Sequence, residues 1–396
     1  MPPATASTPS DVTAYPLLAT DEHELFRESV RGFARSRLAN GYLERAESDE
    51  FQLEVSKMLG AQGLLGLLVS PEHGGQGADE IAVGIACEEL GWADFNACYL
   101  AFSAAVCGRL LDEHCAVGAE WLPRVMDGTE FVALGLTEPG TGSDAAALTT
   151  RAERVEGGWR LYGEKSSITG AAHATGAITF ARTGGPGARG VTAFLVPLDE
   201  SVVRQTFRDP GFRPLGRGAL SFDGTFVPDD HIVGEENRGF HLVMQEFDFT
   251  RALIGLMAIG AAQRALDMTI AYTTERHAFG NPIAHYQGVS FKVAEHDTML
   301  EAARALSYRA LALRSAGRPH TKEAAMVKWW VPRLAFDAIQ DCIVLHGHVA
   351  WSDELPLQQL LRDVSGMQIG DGTPQIQKLV IARHLFGREI LDGSSS

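Results

Sequence analysis

The spacing of apolar residues changes twice along this chain of 396 residues. From Asp21, apolar residues recur at helical spacing in "DEHELFRESVRGFARSRL", and helical patterns continue to about residue 130. At Phe131 the pattern changes to short β-type runs, such as "FVALGLT" and "GVTAFLVP", separated by Gly, Pro and Asp turns. Long helical patterns then return. The order predicts an α+β fold with an N-terminal helical domain at 21–130, a middle antiparallel β domain at 131–235 and a C-terminal helical bundle at 236–390.

The charge of the chain bears on its partners. It carries 34 basic and 50 acidic residues, which gives a formal net charge of −16. This balance keeps a protein soluble and repels nucleic acid and anionic membranes, so we expect no nucleic-acid partner. No segment of the sequence is predicted to be long and apolar enough to span a bilayer, so we expect no membrane partner either.

The cysteines and the N-terminal residues bear on the compartment. The cysteines include no CxxC pair and number five, so neither a disulfide framework nor a metal site is indicated; they are Cys87, Cys98, Cys107, Cys115 and Cys342. A cytoplasmic location fits best. Residues 1–20 contain no Arg or Lys and no long apolar run, which predicts a disordered tail rather than a signal or transit peptide.

The stretch "LTEPGTGSDAA" places glycines and hydroxyls at the end of a predicted strand. Such a backbone suits the close approach of a phosphate-bearing ligand to main-chain N–H groups, although a plain turn explains the residues equally well. It does not open a helix after a parallel strand. A nicotinamide-binding interpretation therefore fails on context.

The stretch "QIGDGTPQIQK" places Asp371 between two glycines and ahead of a helix start. Thr373 suits the N-cap and Pro374 the first turn of that helix. A carboxylate there could remove a proton while N–H groups polarise a neighbouring carbonyl. An acidic residue that merely favours a helix N-terminus is the alternative interpretation.

Other polar groups carry less information. Arg276 in "ERHAFGNP" precedes a glycine stop, where an arginine more often satisfies carbonyls or an acid than a phosphate. His346 and His348 could suggest a metal pair, but with no carboxylate or cysteine cluster beside them packed or solvated histidines are favoured. The segment "GTGSD" is not a nucleophile elbow, so no Ser-His-Asp set is recognised.

Taken together and in order, several motifs resemble those of the acyl-CoA dehydrogenase family; they are "LTEPGTGSD", "GEKSSITG", "FDFTRALIGLMAIGAAQRALD", "ERHAFGNPIAHYQGVSFKVAE" and "LLRDVSGMQIGDGTPQIQKLVIAR". The resemblance covers about residues 21–388. It implies a helical domain, a β domain and a four-helix bundle, which agrees with the order above. It also implies FAD, oxidation of acyl thioesters to enoyl thioesters, electron transfer to an electron-transfer flavoprotein, and a homo-oligomer, a tetramer or a dimer.

Carried over by motif, the resemblance implies two groups of FAD-binding residues. One group would wrap the flavin or lie beside its ring; it comprises Leu134, Leu136, Thr137, Gly142, Ser143, Ser167 and Thr169. The other would reach the FAD of a neighbouring subunit; it comprises Arg276, Phe279, Tyr286, Gln287, Gly347, Thr373 and Gln375.

The resemblance also implies the catalytic and substrate-binding residues. Asp371 aligns with the family's base, normally a glutamate, which takes the α-proton while hydride leaves the β-carbon for flavin N5. Its main-chain N–H and a flavin ribityl hydroxyl would hold the thioester carbonyl. The substrate-binding residues would be Tyr99, Ser143, Asp248, Arg251 and Gly372.

The sequence departs from the family pattern at the base. Aspartate is one methylene shorter than glutamate, so its oxygens reach about 1.5 Å less far, and a displacement of that size costs ~10²-fold in rate unless the substrate or backbone compensates. Some members place a glutamate at the position of Thr250, which cannot serve as that base. Asp371 therefore remains the leading candidate.

Further departures bear on the substrate. Ser167 replaces a bulky aromatic beside the flavin, and Val344, His348 and Ala350 replace the usual Gln and Gly of one FAD loop. Tyr99 would shorten the acyl pocket. We expect a short, bulky acyl group, alicyclic or branched, since members acting on cyclohexane-type acyl-CoA carry aspartate here and "ADFNACYL" resembles them.

Several alternatives remain open from the sequence. The acyl group could arrive on CoA or on an acyl carrier protein. The same scaffold could serve a flavin oxidase or monooxygenase, although such monooxygenases generally lack the positioned carboxylate. A non-enzymatic, DNA-protective protein would call for a basic surface, which the charge of −16 opposes. Asp94 could be a second base for a 1,4-elimination, but a helix-surface acid is the simpler interpretation.

Overall fold

The computed structural model describes residues 20–391. The predicted tail lies outside the described residues except for Thr20, whose hydroxyl accepts the N–H of His23 and caps the first helix. The N-terminal part of the chain is helical, as predicted. Its α-helices are α1 (Asp21–Phe33), α2 (Tyr42–Glu47), α3 (Leu53–Ala61), α4 (Glu80–Ala93), α5 (Phe95–His114) and α6 (Gly118–Met126).

The middle of the chain forms one eight-stranded sheet. Its strands are β1 (Val132–Gly135), β2 (Arg151–Val155), β3 (Gly158–Ile168), β4 (Gly176–Arg182), β5 (Val191–Pro197), β6 (Val202–Thr206), β7 (Gly218–Pro228) and β8 (Ile232–Val233). They run in the order β6-β7-β3-β2-β4-β5-β8, with β1 beside β4. The sheet is antiparallel as predicted, except that β4 pairs in parallel with β1 and with β2. Side-chain alternation alone does not reveal strand direction, so the sequence could not predict these pairings.

Helices return in the last part of the chain. The elements are α7 (Gly239–Glu275), β9 (His277–Ala278), β10 (Asn281–Pro282), α8 (Gln287–Ser315), α9 (Thr321–His346), α10 (Leu357–Gly366), α11 (Pro374–Phe386) and α12 (Arg388–Leu391). Helix α7 packs against α4, α8 and α9. The overall α, β, α order of the sequence prediction is confirmed.

Helix α7 corrects one expectation from the sequence. Among the described helices it is long and apolar enough, by length and composition, to cross a membrane. However, 78% of its most apolar window is buried inside the fold. The core helix of a soluble protein has the same character, because neighbouring helices cover its apolar sides.

Two buried polar clusters join the parts of the chain. Glu88 on α4 accepts hydrogen bonds from Arg27 on α1 and from Arg304 and Tyr308 on α8, at 2.9, 2.5 and 2.6 Å. These guanidinium groups hold the pKa of the Glu88 carboxyl at about 2, although burial opposes the shift. The second cluster surrounds Asp363 on α10, the helix that precedes the Asp371 turn.

Candidate active site

Asp371 lies in the turn between α10 and α11, with its backbone in the left-handed region at φ +54°. Aspartate tolerates this conformation better than most residues. Gly372 has φ +96°, and a Cβ built on it would lie 2.4 Å from Nε2 of Gln377, so only glycine fits. Thr373 and Pro374 begin α11 as predicted, but the Thr373 hydroxyl makes no capping hydrogen bond.

The Asp371 carboxylate accepts a hydrogen bond from the hydroxyl of Thr250. Thr250 is buried on α7, at the start of the apolar run of that helix. The two residues lie 121 positions apart in the sequence. Helix α7 therefore fixes the direction of a carboxylate that the turn presents.

The backbone carbonyls of the turn are bound from three elements. Asp371 O accepts from Nε of Arg251 on α7 at 3.2 Å and from Nε2 of Gln377 on α11 at 2.9 Å. Gly372 O accepts from Nζ of Lys328 on α9 at 3.3 Å and from Nε2 of Gln377 at 3.3 Å. These contacts give hydrogen-bond donors to two backbone carbonyls of a half-buried turn. They also hold the turn in place.

Asp248 and Arg251, predicted to contact the pantetheine of the substrate, form an ion pair at 2.6 Å. The hydroxyl of Thr321, the first residue of α9, donates to the other oxygen of Asp248 at 2.6 Å. The structure thus connects these two residues to the Asp371 turn through Arg251. Gly372, the other predicted substrate-binding residue of this region, adjoins Asp371.

The two predicted flavin loops are joined by a buried ion pair. Lys165 on β3 donates to Glu138 at 2.8 Å and to the carbonyl of Leu136 at 3.0 Å. Glu138 also accepts from the main-chain N–H groups of Thr149 and Thr150. Burial lowers the pKa of Lys165 to about 8, while the lysine charge and these donors lower the pKa of Glu138 to about 2 against the opposing effect of its own burial.

Predicted flavin residues of the same subunit lie on these joined segments. Leu134 is on β1 and is half-buried, Leu136 follows it and is buried, and the carbonyl of Thr137 accepts from Ser166 N at 2.8 Å. Ser167 is exposed with φ +63°, at an irregularity in the pairing of β3 with β7. The sheet therefore brings the predicted segments together at the ends of β1 and β3.

Tyr99 on α5 connects this region with the base. Burial raises the pKa of its hydroxyl above the ordinary range; the nearby Thr169 opposes the shift, and the nearby Asp371 charge adds to it. Its ring packs against the rings of Phe102 and Phe212, with centroids 5.2 and 5.7 Å apart. Tyr99 therefore belongs to an aromatic wall beside the predicted base.

Within residues 20–391, the residues predicted to reach a neighbouring subunit are mostly exposed and form no closed site. Phe279 is 95% exposed, and its ring meets the Tyr286 ring edge-on at 6.3 Å. The Tyr286 hydroxyl donates to the carbonyl of Ala278 at 2.9 Å, which shapes the connection between α7 and α8. The other exposed members of the group are Arg276, Gln287, Gly347 and Gln375.

Three minor candidates from the sequence have structural roles or none. His346 is buried and bonds to the carbonyl of Cys342 at 2.8 Å while stacking on Tyr272, and His348 is exposed. No cluster that could hold a metal occurs among residues 20–391. The interpretation of Asp94 as a surface acid is wrong, because it is 2% exposed, caps α5 and pairs with Arg45 at 2.7 Å.

Sequence reasoning missed several residues around the turn. Lys328 stands alone in the apolar run "AAMVKWWV", and a lysine in such surroundings is a signal of a buried charge. From the sequence, Thr250 is only a position that lacks the glutamate base of some family members. The pairing of Glu138 with Lys165 left no local signal, although both residues occur in the predicted motifs.

Three family models match the sequence, each over one part of the chain. The N-terminal domain of acyl-CoA dehydrogenase matches residues 20–129, the middle domain residues 133–225 and the C-terminal domain residues 237–386. The chain belongs to the acyl-CoA dehydrogenase family. It is an oxidoreductase of the FAD-dependent acyl-CoA dehydrogenase type, as the resemblance implied.

Individual members of this family are similar over nearly the whole chain. An acyl-CoA dehydrogenase of Bacillus subtilis is 35% identical over 384 residues, covering 93% of this chain and 99% of that protein. A 3-(aryl)acrylate reductase of Clostridium sporogenes is 32% identical over 375 residues, with 93% and 99% covered. The solved structure of PigA with FAD and proline has a TM-score of 0.90 at 25% identity, covering 93% of this chain and 99% of that one.

The loop of this acyl-CoA dehydrogenase at residues 138–144 fits a phosphate-bearing cofactor such as FAD. The N–H groups of Gly142 and Ser143 donate to no acceptor within the described part of the chain. The hydroxyl of Thr141 is buried without a hydrogen-bond partner among residues 20–391. Successive free donors on a turn form the kind of backbone concavity that binds anions, so these residues suit the cofactor's diphosphate.

Proposed function

We propose that this acyl-CoA dehydrogenase oxidises a short, bulky acyl thioester, with Asp371 as the catalytic base. The observation that carries the proposal is the position of the Asp371 carboxylate, which accepts a hydrogen bond from Thr250 and lies near Tyr99, a residue that is itself close to the predicted flavin residue Thr169. A surface acid that only favours a helix start would need none of these contacts.

The reaction removes two hydrogens from adjacent carbons. Asp371 takes the α-hydrogen as a proton, and the electron pair of that C–H bond forms the α,β double bond as the β-hydrogen departs with its own pair. Bound FAD supplies the acceptor for that hydride. The rigid turn keeps the carboxylate in place, and Arg251 and Asp248 would orient the pantetheine arm.

The size of the acyl group is inferred from the aromatic wall. The Tyr99 ring packs against Phe102 and Phe212 and would shorten the acyl pocket. The short Asp371 side chain would require a substrate whose α-carbon lies closer to the turn. A compact ring or branch meets both conditions better than a straight chain. The name of the Clostridium sporogenes relative, a 3-(aryl)acrylate reductase, also supports a bulky acyl group.

We propose CoA as the carrier of the acyl group, since the Bacillus subtilis relative is named an acyl-CoA dehydrogenase. We also propose an electron-transfer flavoprotein as the electron acceptor and a homo-oligomer as the assembly. Large apolar side chains of the C-terminal helices and their connections are exposed on the single chain, as expected of a subunit interface; they include Phe279, Phe291, Met299, Val344, Trp351, Leu385 and Phe386. The free thiols suit the reducing cytoplasm.

The test is an anaerobic titration of the flavoprotein with a panel of CoA and carrier-protein thioesters that differ in acyl bulk. We expect flavin bleaching by alicyclic or branched short acyl-CoA, and a reduction rate lowered by about 10²–10⁴-fold in Asp371→Asn. Bleaching by straight chains alone would refute the substrate proposal, and an unimpaired Asp371→Asn would refute the base. Slow reoxidation in air is expected, since fast reoxidation identifies an oxidase.

A further inference from the structure

Lys328 is a buried cation with no assigned role. Its side chain is 0% exposed on α9. Its hydrogen bond within the described part of the chain runs from Nζ to the carbonyl of Gly372, at 3.3 Å. No carboxylate oxygen of residues 20–391 lies within 4.0 Å of Nζ. Burying an ammonium group without a close counter-charge is costly, so the contact with the Asp371–Gly372 turn needs an explanation beyond packing.

The charges around Lys328 supply that explanation. Asp371, from the turn, favours its charged form, and Arg251, from α7, opposes it. Helix α11 contributes the uncharged amide of Gln377, which binds the same carbonyl. Arg251 is already paired with Asp248 at 2.6 Å. Lys328 is therefore the cation left to balance the Asp371 carboxylate.

We propose that Lys328 is a positioning residue for the base, and that the enzyme reaches its full rate only while Lys328 is charged. The proposal rests on the proposed role of Asp371. A charged ammonium group makes a stronger hydrogen bond to the Gly372 carbonyl than a neutral amine does. It thereby holds the left-handed turn in place. It also offsets the negative charge of the half-buried Asp371 carboxylate before substrate binds.

The titration of Lys328 gives this role a recognisable signature. Burial lowers its pKa from 10.5 to about 8, so its charge is lost as the pH rises through about 8. In the unfolded chain the same loss occurs only near 10.5. Between these values the unfolded chain binds more protons, so the titration of Lys328 stabilises the fold with rising pH while activity falls. A residue that only supports the fold would lose activity and stability together.

The experiment compares anaerobic flavin reduction and thermal melting of the wild type, Lys328→Arg, Lys328→Met and the control Lys378→Met between about pH 6 and about pH 10. Lys378 follows Gln377 but is exposed. We expect the wild-type and control rates to fall above about pH 8. Lys328→Arg keeps most of the neutral rate without that fall, because arginine stays charged. Lys328→Met is slower by about 10–100-fold, without a step near pH 8, because the turn is displaced.

The melting temperature, measured with and without FAD, shows whether Lys328 positions the base or only stabilises the fold. We expect Lys328→Met to melt at or above the wild type near neutral pH, since an apolar group replaces a buried charge. The proposal is overturned if Lys328→Met keeps the wild-type rate and its decrease above about pH 8. It is also overturned if Lys328→Met and Lys328→Arg both lose activity, bound FAD and melting temperature together. An unimpaired Asp371→Asn signals instead that the proposed base is wrong.

Discussion

At the scale of single residues, the hydroxyl of Thr250 is the direct support of the Asp371 carboxylate. Thr250→Val keeps the shape of the side chain and removes the donor. We expect flavin reduction by a confirmed substrate to slow about 10-fold, corresponding to ~1.4 kcal/mol of lost positioning. Anaerobic stopped-flow kinetics measures this loss.

Thr250→Ser is the matched control because it keeps the hydroxyl. It is expected to stay within about threefold of the wild-type rate, whereas Thr250→Val does not. Equal rates in all three proteins would mean that the turn alone orients the carboxylate. Since Thr250 is buried, melting temperatures of both variants are compared to separate a packing defect from a positioning defect.

The same residues show what a sequence can predict about a site. Asp371 could be proposed from the sequence, because the flanking glycines and the Thr-Pro helix start are local features and because the motif around it resembles a family motif. The hydrogen bond from Thr250 could not be predicted, since it joins residues 121 positions apart. Lys328 was visible as a lysine in an apolar helix, but its contact with Gly372 depends on how α9 and α11 pack.

At the scale of elements, the pair of Glu138 and Lys165 holds the predicted flavin loop onto β3. In Lys165→Met, the buried Glu138 carboxylate loses its cation. We expect the free energy of unfolding to fall by about 3–5 kcal/mol and FAD to bind more weakly. Chemical denaturation and the flavin absorbance after gel filtration measure the two effects.

Two further variants test whether the loss comes from the unpaired charge. Glu138→Gln combined with Lys165→Met removes both charges and is expected to lose less stability than Lys165→Met alone. Lys57→Met breaks the exposed pair with Glu54 and is expected to cost at most about 1 kcal/mol. A single variant no worse than the double variant would contradict a structural ion pair.

Element order and approximate strand content were predictable because apolar periodicity is a local property. The parallel pairing of β1 with β4 was not, because the strands are separated by β2 and β3 in the chain and no local pattern encodes direction. That pairing brings β1 into the sheet, where Lys165 of β3 contacts the residues that follow β1. The long-range part of the predicted cofactor site therefore depends on topology rather than on any motif.

At the scale of the whole molecule, Asp363 ties together the three parts of the chain. It is 0% exposed on α10 and accepts hydrogen bonds from the Tyr42 hydroxyl at 2.6 Å, the Phe212 N–H at 2.9 Å and the Gln359 amide at 2.9 Å. Phe212 has φ +57° and packs on Tyr99, so the same carboxylate supports the aromatic wall. No arginine or lysine pairs with it within the described residues.

Burial raises the pKa of Asp363 from 3.8 to about 6. As the pH falls, the folded protein therefore binds a proton at Asp363 before the unfolded chain does. The contribution of Asp363 to stability grows as the pH falls from about 7 toward 4, and it is lost as the pH rises through about 6.

Asp363→Asn, which cannot titrate but can still bind its neighbours, is expected to lack this change. Wild type should thus gain stability relative to Asp363→Asn on acidification. Asp363→Ala, which leaves three donors without their acceptor, is expected to be less stable than Asp363→Asn by about 3 kcal/mol at either pH, because neither variant titrates at this position. Urea unfolding of the three proteins near pH 7 and pH 5 measures these differences, and a wild-type advantage that does not change with pH would show that Asp363 stays ionised in the fold.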